Sequence, residues 1–121
     1  LVIERLREKS SDGGGSSRLQ PEKILGYIHR HLHEPIRLQE LASLAGLSVP
    51  QFGRLFRQQF HCSPIDYVVR RRVSHAESLL VQTDLNVKQI AARVGYEDEF
   101  YFSRIFRRIN GRSPRDFRRS A

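Results

Sequence analysis

The sequence has a single cysteine, no methionine and no long apolar run. Cys62 alone cannot form an internal disulfide, and no segment approaches the roughly twenty apolar residues that a transmembrane helix requires. The apolar residues near the N-terminus are interrupted by charged ones, which is not the pattern of a signal peptide. These features predict a cytosolic protein. Because the chain lacks a start methionine, we expect it to be a fragment from the C-terminal part of a longer protein.

Residues that would indicate catalysis or metal binding are also scarce. His29 and His33 would share one helix face, but a zinc site needs a third protein ligand, and no nearby carboxylate or cysteine has a suitable spacing. We therefore interpret them, with His31, as exposed histidines at a helix end. Cys62 has no paired base, and the glycine triplet at positions 13–15 lacks the lysine and hydroxyl residue of a phosphate-binding loop. The sequence predicts no enzyme, no metal site and no cofactor.

What the sequence has in excess is positive charge. Lys and Arg total 21 against 13 Asp and Glu, which gives a formal net charge of +8, and arginine dominates the basic residues. A strongly basic small domain is typical of proteins that bind a polyanion such as DNA. The alternative is a cationic surface that only keeps the protein in solution. At 121 residues, the chain is too small for a large buried cleft, which disfavours elaborate catalysis.

One motif occurs twice, and it is the most informative feature of the chain. The segment FGRLF at 52–56, followed by SPIDY at 63–67, recurs fifty positions later as FSRIF at 102–106 and SPRDF at 113–117. Upstream of each copy the match continues at an offset of forty-nine, so the turn before the second copy is one residue longer. A repeated unit in so short a chain indicates that the unit carries the function.

Apolar residues recur at spacings of three and four in both copies, which predicts an all-α fold of about seven helices. Prolines at first helical positions, polar caps and glycine turns set the expected bounds. The predicted helices run from Pro21 to about His33, over 38–45, from the Ser48 cap to about Phe60, over about 64–82, from the Asn86 cap to Val94, over about 98–110 and from Pro114 onward. The sixth of these is expected to bury Phe102, Ile105, Phe106 and Ile109.

The composition divides the chain into a short tail and a helical domain. Residues 1–17 are expected to form the end of a preceding domain's helix and a flexible linker. Residues 18–121 are expected to form the main domain, with a first subdomain at about 21–62, a connecting helix at about 64–82 and a second subdomain at about 83–119.

Each predicted subdomain contains two helices joined at a glycine, Gly46 in the first and Gly95 in the second. Helix, glycine turn and helix with a basic outer face is the pattern of a helix-turn-helix unit, whose second helix lies in the major groove of DNA. A connecting helix of roughly eighteen residues is about 27 Å long, adequate to hold two such helices roughly one DNA turn, about 34 Å, apart. The pattern therefore predicts a monomer that reads adjacent major grooves of an asymmetric site.

The second copy also contains three segments whose turn, core and cap residues stand at fixed offsets: IAARVGY at 90–96, FYFSRIFRR at 100–108 and GRSPRDFR at 111–118. With these segments, residues 21–119 resemble the C-terminal DNA-binding domain of the AraC/XylS transcriptional regulators. The resemblance implies two helix-turn-helix subdomains joined by a long helix, binding of double-stranded promoter DNA, and usually activation through contact with RNA polymerase. It also implies an N-terminal sensing or dimerisation domain, a location at the nucleoid, and no membrane partner.

The resemblance places base-reading positions on the outer faces of the third and sixth helices. In this sequence they are Pro50, Gly53, Arg54, Glu99, Phe100, Ser103 and Arg104. Because proline and glycine have no side-chain donor, Arg54, together with Gln51, is expected to make most base contacts of the first unit. Arg104 is suited to a guanine edge, Glu99 to a cytosine amino group, and Ser103 to either kind of contact.

Several of these positions have a second interpretation. Phe100 is expected either to meet a thymine methyl group or to pack in the core. Arg104 has a phosphate contact or an internal ion pair as its alternatives. Phosphate contacts, with a solvated face as the alternative, are expected for four residues that flank the readers, namely Arg57, Gln58, Arg107 and Arg108.

Other repeated or clustered residues are interpreted as structural. Three consecutive arginines at 70–72 point in three directions on a helix, so at least one is expected to pair internally, with Asp66 or Glu77. Tyr67 and Phe117 occupy equivalent places in the two copies and are expected to anchor each short helix to its unit. These residues stabilise the scaffold and are not expected to contact bases.

The sequence as a whole favours a sequence-specific DNA-binding domain of a bacterial transcription regulator, of the activator type. The competing hypothesis is a nonspecific nucleic-acid-binding or protein-docking module, in which the arginines add affinity without reading bases. Both kinds of protein lose affinity as salt rises, but only the first retains a preference for one DNA sequence.

Overall fold

The computed structural model describes residues 19–121, which form seven helices and no strand. The helix end and linker expected at 1–17 lie outside these residues. The helices are α1 (Pro21–Arg30), α2 (Leu38–Ala45), α3 (Val49–Phe60), α4 (Pro64–Gln82), α5 (Val87–Arg93), α6 (Glu99–Asn110) and α7 (Pro114–Ser120). The all-α fold class predicted from apolar spacing is confirmed.

The chain divides into two compact units. The described part of the first unit contains the residues up to His31 together with Ile36–Tyr67, and the second contains Leu32–Pro35 together with Val68–Ala121. Helices α2 and α3 form the helix-turn-helix pair of the first unit, and α5 and α6 form that of the second. The two predicted helix-turn-helix units are therefore present.

The units contain the same arrangement of aromatic rings. In each, the second helix of the pair contributes two buried phenylalanines one turn apart, and the helix that follows contributes a third ring, edge-on to the second. The ring centroids lie 5.7 Å apart in Phe52–Phe56, 5.9 Å in Phe102–Phe106, 5.9 Å in Phe56–Tyr67 and 5.7 Å in Phe106–Phe117. The repeated motif thus builds a repeated core, in which Tyr67 and Phe117 anchor their helices as predicted.

Polar side chains begin the helices at the predicted caps. The Ser48 hydroxyl accepts from the Gln51 amide at 3.3 Å, and the Asn86 side chain accepts from the Gln89 amide at 2.8 Å. Both glutamines bond back to their caps, so α3 and α5 each start with a capping box. Helix α6 begins instead at Asp98, whose carboxylate accepts from two amides of the first turn. Ser48 and Asp98 thus cap the two helices that carry the candidate DNA contacts, α3 and α6.

The predicted end of α1 at about His33 is wrong, because the helix ends at Arg30. Leu32 is still buried, as its spacing predicted. The chain forms a turn there, and the carbonyl groups of Leu32 and Glu34 accept hydrogen bonds from Arg72. Since a side chain satisfies these carbonyls, the segment is stable without further helical bonds.

Ile109 is the one member of the expected buried face of α6 that lies outside the core. It is 36% exposed, whereas Phe102, Ile105 and Phe106 belong to the buried cluster of the second unit. Ile109 lies in the last turn of α6, next to Asn110, whose amide donates to the Glu77 carboxylate at 2.6 Å. A polar contact thus replaces apolar packing where the helix ends.

Candidate nucleic-acid interface

The outer face of α3 carries the residues predicted to contact DNA in the first unit. The inner face of the helix buries Phe52 and Phe56 completely. Opposite them lies an open groove lined by Pro50, Gly53, Arg54, Arg57 and Gln58. All the α3 positions predicted to contact bases or phosphates, except Gln51, therefore lie together on one surface.

Gln51 has a role in this helix that the sequence analysis did not assign. Its side-chain oxygen accepts from the Ser48 amide at 3.2 Å and from the Ser48 hydroxyl at 3.0 Å. Only the amino group of the Gln51 side chain remains as a donor to a base. Arg54, which is exposed, is consequently the strongest candidate reader of the first unit.

In the second unit, Glu99, Phe100 and Ser103 line a groove on α6 that also includes the start of α7. Phe100 is 72% exposed, so the core-packing alternative for this residue is wrong. An exposed phenylalanine at the start of a helix is available for an apolar contact such as one with a thymine methyl group. Arg115 borders the same groove at the first turn of α7.

Arg104 is exposed on α6 and lies against an aromatic ring. Its guanidinium carbon is 5.8 Å from the centre of the Tyr101 ring, and Tyr101 in turn lies 5.9 Å from Tyr96. Within residues 19–121, no carboxylate forms an ion pair with Arg104, so the internal ion-pair alternative has no support. A cation held over a ring keeps its hydrogen-bond donors available to a partner.

The remaining candidates for phosphate contacts, Arg107 and Arg108, are exposed in the last turns of α6. Like Arg57 in α3, they form no ion pair with any described residue. Positive charge thus extends along both helices without internal neutralisation. Such a surface attracts a polyanion.

The glycine turns precede both helices, and the two differ in their surroundings. Gly46 and Gly95 have positive φ angles of 71° and 102°, which glycine adopts without strain. A Cβ atom built on Gly46 would meet nothing within 4 Å, but one on Gly95 would lie 2.8 Å from the Leu32 carbonyl oxygen and 3.0 Å from the Arg72 guanidinium carbon. Gly95 is therefore required by packing as well as by backbone geometry.

Arg72 explains the close packing beside Gly95. It is buried, donates from Nε to the Leu32 carbonyl at 3.0 Å and from Nη2 to the Glu34 carbonyl at 2.7 Å, and lies 5.2 Å from the Tyr96 ring centre. Burial raises the pKa of the Tyr96 hydroxyl, and the nearby Arg72 charge opposes that rise.

The outcome for the arginines at 70–72 is mixed. The prediction that one of them pairs internally is confirmed by Arg72. The proposed partners Asp66 and Glu77 were wrong, because the arginine binds backbone carbonyls of a segment forty residues away. No local pattern in the sequence could have identified those carbonyls.

Two basic residues near α6 were missed by the sequence analysis. Lys88 and Arg115 border a groove with Glu99 in the second unit. Arg115 directly follows Pro114, and the equivalent residue of the first copy is Ile65, so the position is variable within the repeat. The charge of Arg115 was the only available signal.

The C-terminal helix contains two further arginine contacts. Arg118 donates to the Leu80 and Thr83 carbonyls at 3.0 and 3.1 Å, closing the C-terminal end of α4. The Arg119 guanidinium bonds the Asp116 carboxylate and, with Ser113, lowers the pKa of that exposed carboxyl. Asp116 is thus held ionised near the start of α7, as a structural residue.

In the part of the chain that the structure describes, His29, His31 and His33 belong to no group of side chains placed to hold a metal ion. The described residues contain no set of three or more His, Cys, Asp or Glu side chains placed to hold an ion. His29 instead lies 2.9 Å from the Tyr67 hydroxyl, measured from its Nε2 atom. None of the helices described for residues 19–121 has the length and apolarity needed to cross a bilayer.

A family model and known relatives match this chain. Residues 41–120 match a model described as a helix-turn-helix domain. The HTH-type transcriptional regulator YdiP of Escherichia coli, itself uncharacterised, is 38% identical over 96 residues, which cover 79% of this chain and 32% of that protein. The chain spans 28% to 39% of the length of the first curated relatives it matches.

Solved structures of DNA-binding domains have the same fold. The DNA-binding domain of AdpA, solved in complex with a target DNA, has a TM-score of 0.76 and 31% identity, and the match covers 80% of this chain and 87% of that one. An AraC-type transcriptional regulator from Chromobacterium violaceum has a TM-score of 0.74 and 29% identity, with 82% and 90% of the chains covered. The chain therefore belongs to the AraC/XylS family, as the helix-turn-helix DNA-binding domain of a transcriptional regulator.

Proposed function

We propose that this domain binds double-stranded promoter DNA in a sequence-specific manner, with α3 and α6 each lying in a major groove and the two grooves adjacent. The observation that carries the proposal is the duplicated unit. In each copy an aromatic core supports a helix whose outer face carries exposed arginines, and among the described residues these arginines form no ion pair. The AdpA domain was solved with a target DNA, and its likeness to this chain supports a DNA ligand.

Base reading is assigned to the side chains that face outward on the two helices. Arg54 and Arg104 each present a fork of donors that suits the O6 and N7 atoms of guanine. Glu99 accepts from a cytosine amino group, and Ser103 bonds whichever base edge lies beside it. The amino group of Gln51 supplements Arg54, since its oxygen is engaged by Ser48.

Phosphate contacts are assigned to the flanking polar residues, Arg57, Gln58, Arg107 and Arg108. All four are exposed, and none of the three arginines has an ion pair among the described residues. Contacts of this kind fix the position of the helices on the duplex and contribute affinity for any sequence.

The family resemblance also supports a proposal for the biological setting. The whole protein acts in the cytoplasm at promoters as a transcriptional activator that contacts RNA polymerase, and an N-terminal domain senses a ligand or mediates dimerisation. A promoter–reporter assay in cells with and without the full-length gene tests the direction of regulation. Lower reporter output with the gene present would identify a repressor instead.

Selection from a random pool of DNA duplexes with the 121-residue chain tests the DNA-binding proposal. We expect an asymmetric site with two half-sites about 10–10.5 base pairs apart, because that spacing places two helices in successive major grooves. A salt titration on selected and scrambled duplexes should give affinity losses on both and a preference for the selected one. Equal affinities for both would favour the nonspecific module and contradict the proposal.

A further inference from the structure

Gly53 lies in the middle of α3 on its outer face, and the fold itself does not require a glycine there. Among the described glycines, positive φ angles occur at Gly46, Gly95 and Gly111, and Gly53 is not one of them. A Cβ atom built on Gly53 meets no other atom within 4 Å. Neither the backbone conformation nor a neighbouring atom therefore accounts for the missing side chain.

A glycine inside a helix weakens that helix, because glycine loses more backbone freedom on folding than alanine does. Glycine is also used where a ligand approaches the backbone closely. Since no described atom lies within 4 Å of a Cβ built on Gly53, the space beside this residue is open to a group of another molecule.

Pro50 lies one turn before Gly53 on the same face, and the two form an apolar depression. Proline has no amide hydrogen, and the Gly53 amide is engaged in the helix, so the backbone of these two residues offers no free hydrogen-bond donor. The remaining side chains at its edge are polar or basic. We call this feature the α3 recess, which is lined by Pro50, Gly53, Arg54, Arg57 and Gln58.

The chemistry of the α3 recess defines its occupant. The group that packs against Pro50 and Gly53 must be small and apolar. The molecule that carries this group must be anionic to match Arg54 and Arg57. The major groove of DNA satisfies both conditions, because the C5-methyl of thymine projects among the base edges while phosphates lie alongside. The thymine methyl is also the one apolar group in the major-groove pattern of the bases.

The equivalent positions of α6 have the opposite shape. Phe100 stands where α3 has Pro50, and Ser103 stands where it has Gly53. The Phe100 side chain is 72% exposed and projects from the helix. At these positions α6 presents side chains to a partner, whereas α3 presents a bare stretch of backbone.

We propose that α3 recognises a thymine through its methyl group, which enters the α3 recess above Gly53. The inference rests on the proposed DNA-binding function and assigns to Gly53 a specificity-determining role. A side chain at position 53 would occupy the space of the methyl group. The first unit therefore reads one base through hydrogen bonds from Arg54 and another through the space left open by the missing side chain at Gly53.

Deoxyuridine substitution tests the proposal directly, since it removes only the thymine methyl group. With the DNA site selected from the random pool, the half-site of α3 is identified as the one whose base preference is lost in Arg54→Ala. Each thymine of that half-site is then replaced in turn by deoxyuridine. We expect one replacement to weaken binding about 3- to 5-fold, the loss expected for one buried methyl group.

The variant Gly53→Ala should separate stability from binding. We expect its thermal midpoint to rise by about 2–6 °C, because alanine favours the helix, while its affinity for the selected site falls. The variant should also bind the thymine and deoxyuridine duplexes equally. Gly53→Ser, which copies Ser103, should lose affinity in the same way.

Gly26→Ala in α1 is the matched control. Gly26 is also a glycine inside a helix, and its added Cβ would meet only the flexible end of Arg30, at 3.0 Å. This variant should gain stability with no change in DNA affinity. The inference alone is overturned if the unchanged chain binds specifically but ignores every thymine methyl, or if Gly53→Ala binds the selected site as tightly. Absence of any sequence preference in the unchanged chain overturns the proposed function as well.

Discussion

The two helix-turn-helix units share a core and two outward arginines, Arg54 and Arg57 in α3 and Arg104 and Arg107 in α6, and they differ at other positions that face outward. Their ring distances agree within 0.2 Å, with 5.7 and 5.9 Å for the helix pairs and 5.9 and 5.7 Å for the anchors. Outside the core, Pro50 and Gly53 of α3 correspond to Phe100 and Ser103 of α6 in the repeat. Packing restricts the inner residues because an interior tolerates little change in volume, and the outer residues are free to follow a partner.

The turns and helix ends of the two units differ in a second way. Gly46 has open space around it, whereas Gly95 packs against the Leu32 carbonyl. At the end of the second helix, His61 has a φ angle of 63° where the other unit has Gly111 with 93°. The turns and helix ends of the two units thus have the same backbone conformation but different neighbouring atoms or residue types. Substitutions at equivalent positions should therefore change stability by unequal amounts.

The largest difference is expected at the turns. Gly46→Ala should lose about 1–2 kcal/mol of unfolding free energy because alanine resists a positive φ angle. Gly95→Ala should lose about 2–5 kcal/mol, because the same strain is joined by the short contact between its Cβ and the Leu32 oxygen. Urea denaturation of both variants measures the difference. Equal losses would show that the Leu32 backbone can move away from the added Cβ without loss of stability, and that the two turns are energetically equivalent.

The second difference concerns base reading. Arg104→Ala should cost about 1–3 kcal/mol on the selected site and relax base choice in one half-site, and Arg54→Ala should do the same in the other half-site. Arg107→Ala should weaken all sequences evenly and reduce the salt slope by about one. Fluorescence anisotropy on selected and random duplexes measures these effects. If Arg104→Ala loses as much on random DNA, Arg104 is not a reader.

A smaller effect is expected from the ring beneath Arg104. Tyr101→Ala should weaken specific binding by about 0.5–1 kcal/mol, since a cation–π contact of that size orients the guanidinium, and Tyr101→Phe should restore it. The α3 counterpart of Tyr101 is Gln51, which bonds Ser48 and leaves Arg54 without such support. Tyr101→Ala should have no further effect in the Arg104→Ala background. A full additional loss there would assign Tyr101 a DNA contact of its own.

The smallest effect is expected at the helix ends. His61→Gly should stabilise the domain by about 0.5–1 kcal/mol, because glycine adopts the left-handed conformation that histidine occupies with strain. Gly111→Ala should destabilise it by about 1 kcal/mol for the same reason. Thermal unfolding followed by circular dichroism detects both shifts. A loss of stability in His61→Gly would indicate that the imidazole makes a stabilising contact.

Local sequence patterns were sufficient for most of the scaffold. Apolar spacing located the helices, and Ser48 and Asn86 were recognised as caps because a hydroxyl or amide oxygen there satisfies free amides of the first turn. Gly46 and Gly95 were recognised as turns for an equally local reason. Such features depend on residues three or four positions apart, so they can be read without knowledge of the fold.

The candidate site was only partly predictable. The outer faces of α3 and α6 followed from the repeat and the family resemblance, but the exposure of Phe100 did not, because an aromatic residue at helical spacing fits either face. The engagement of Gln51 by Ser48 was also missed, although the capping-box spacing was visible in the sequence. Arg115 was overlooked because its groove forms where the start of α7 packs beside α6, and no spacing within one helix predicts that arrangement.

By itself the sequence determined the helix order, the caps, the duplicated core and the family, since each of these depends on short-range spacing repeated within the chain. Only the tertiary structure decided which arginine is buried, why Gly95 cannot carry a side chain, and that no described atom lies within 4 Å of a Cβ built on Gly53. Those outcomes depend on atoms brought together from distant segments, such as the Leu32 carbonyl and Arg72, forty residues apart. Contacts between distant segments produce no periodic pattern in a single sequence, because each of the two residues can occur in many different local sequences.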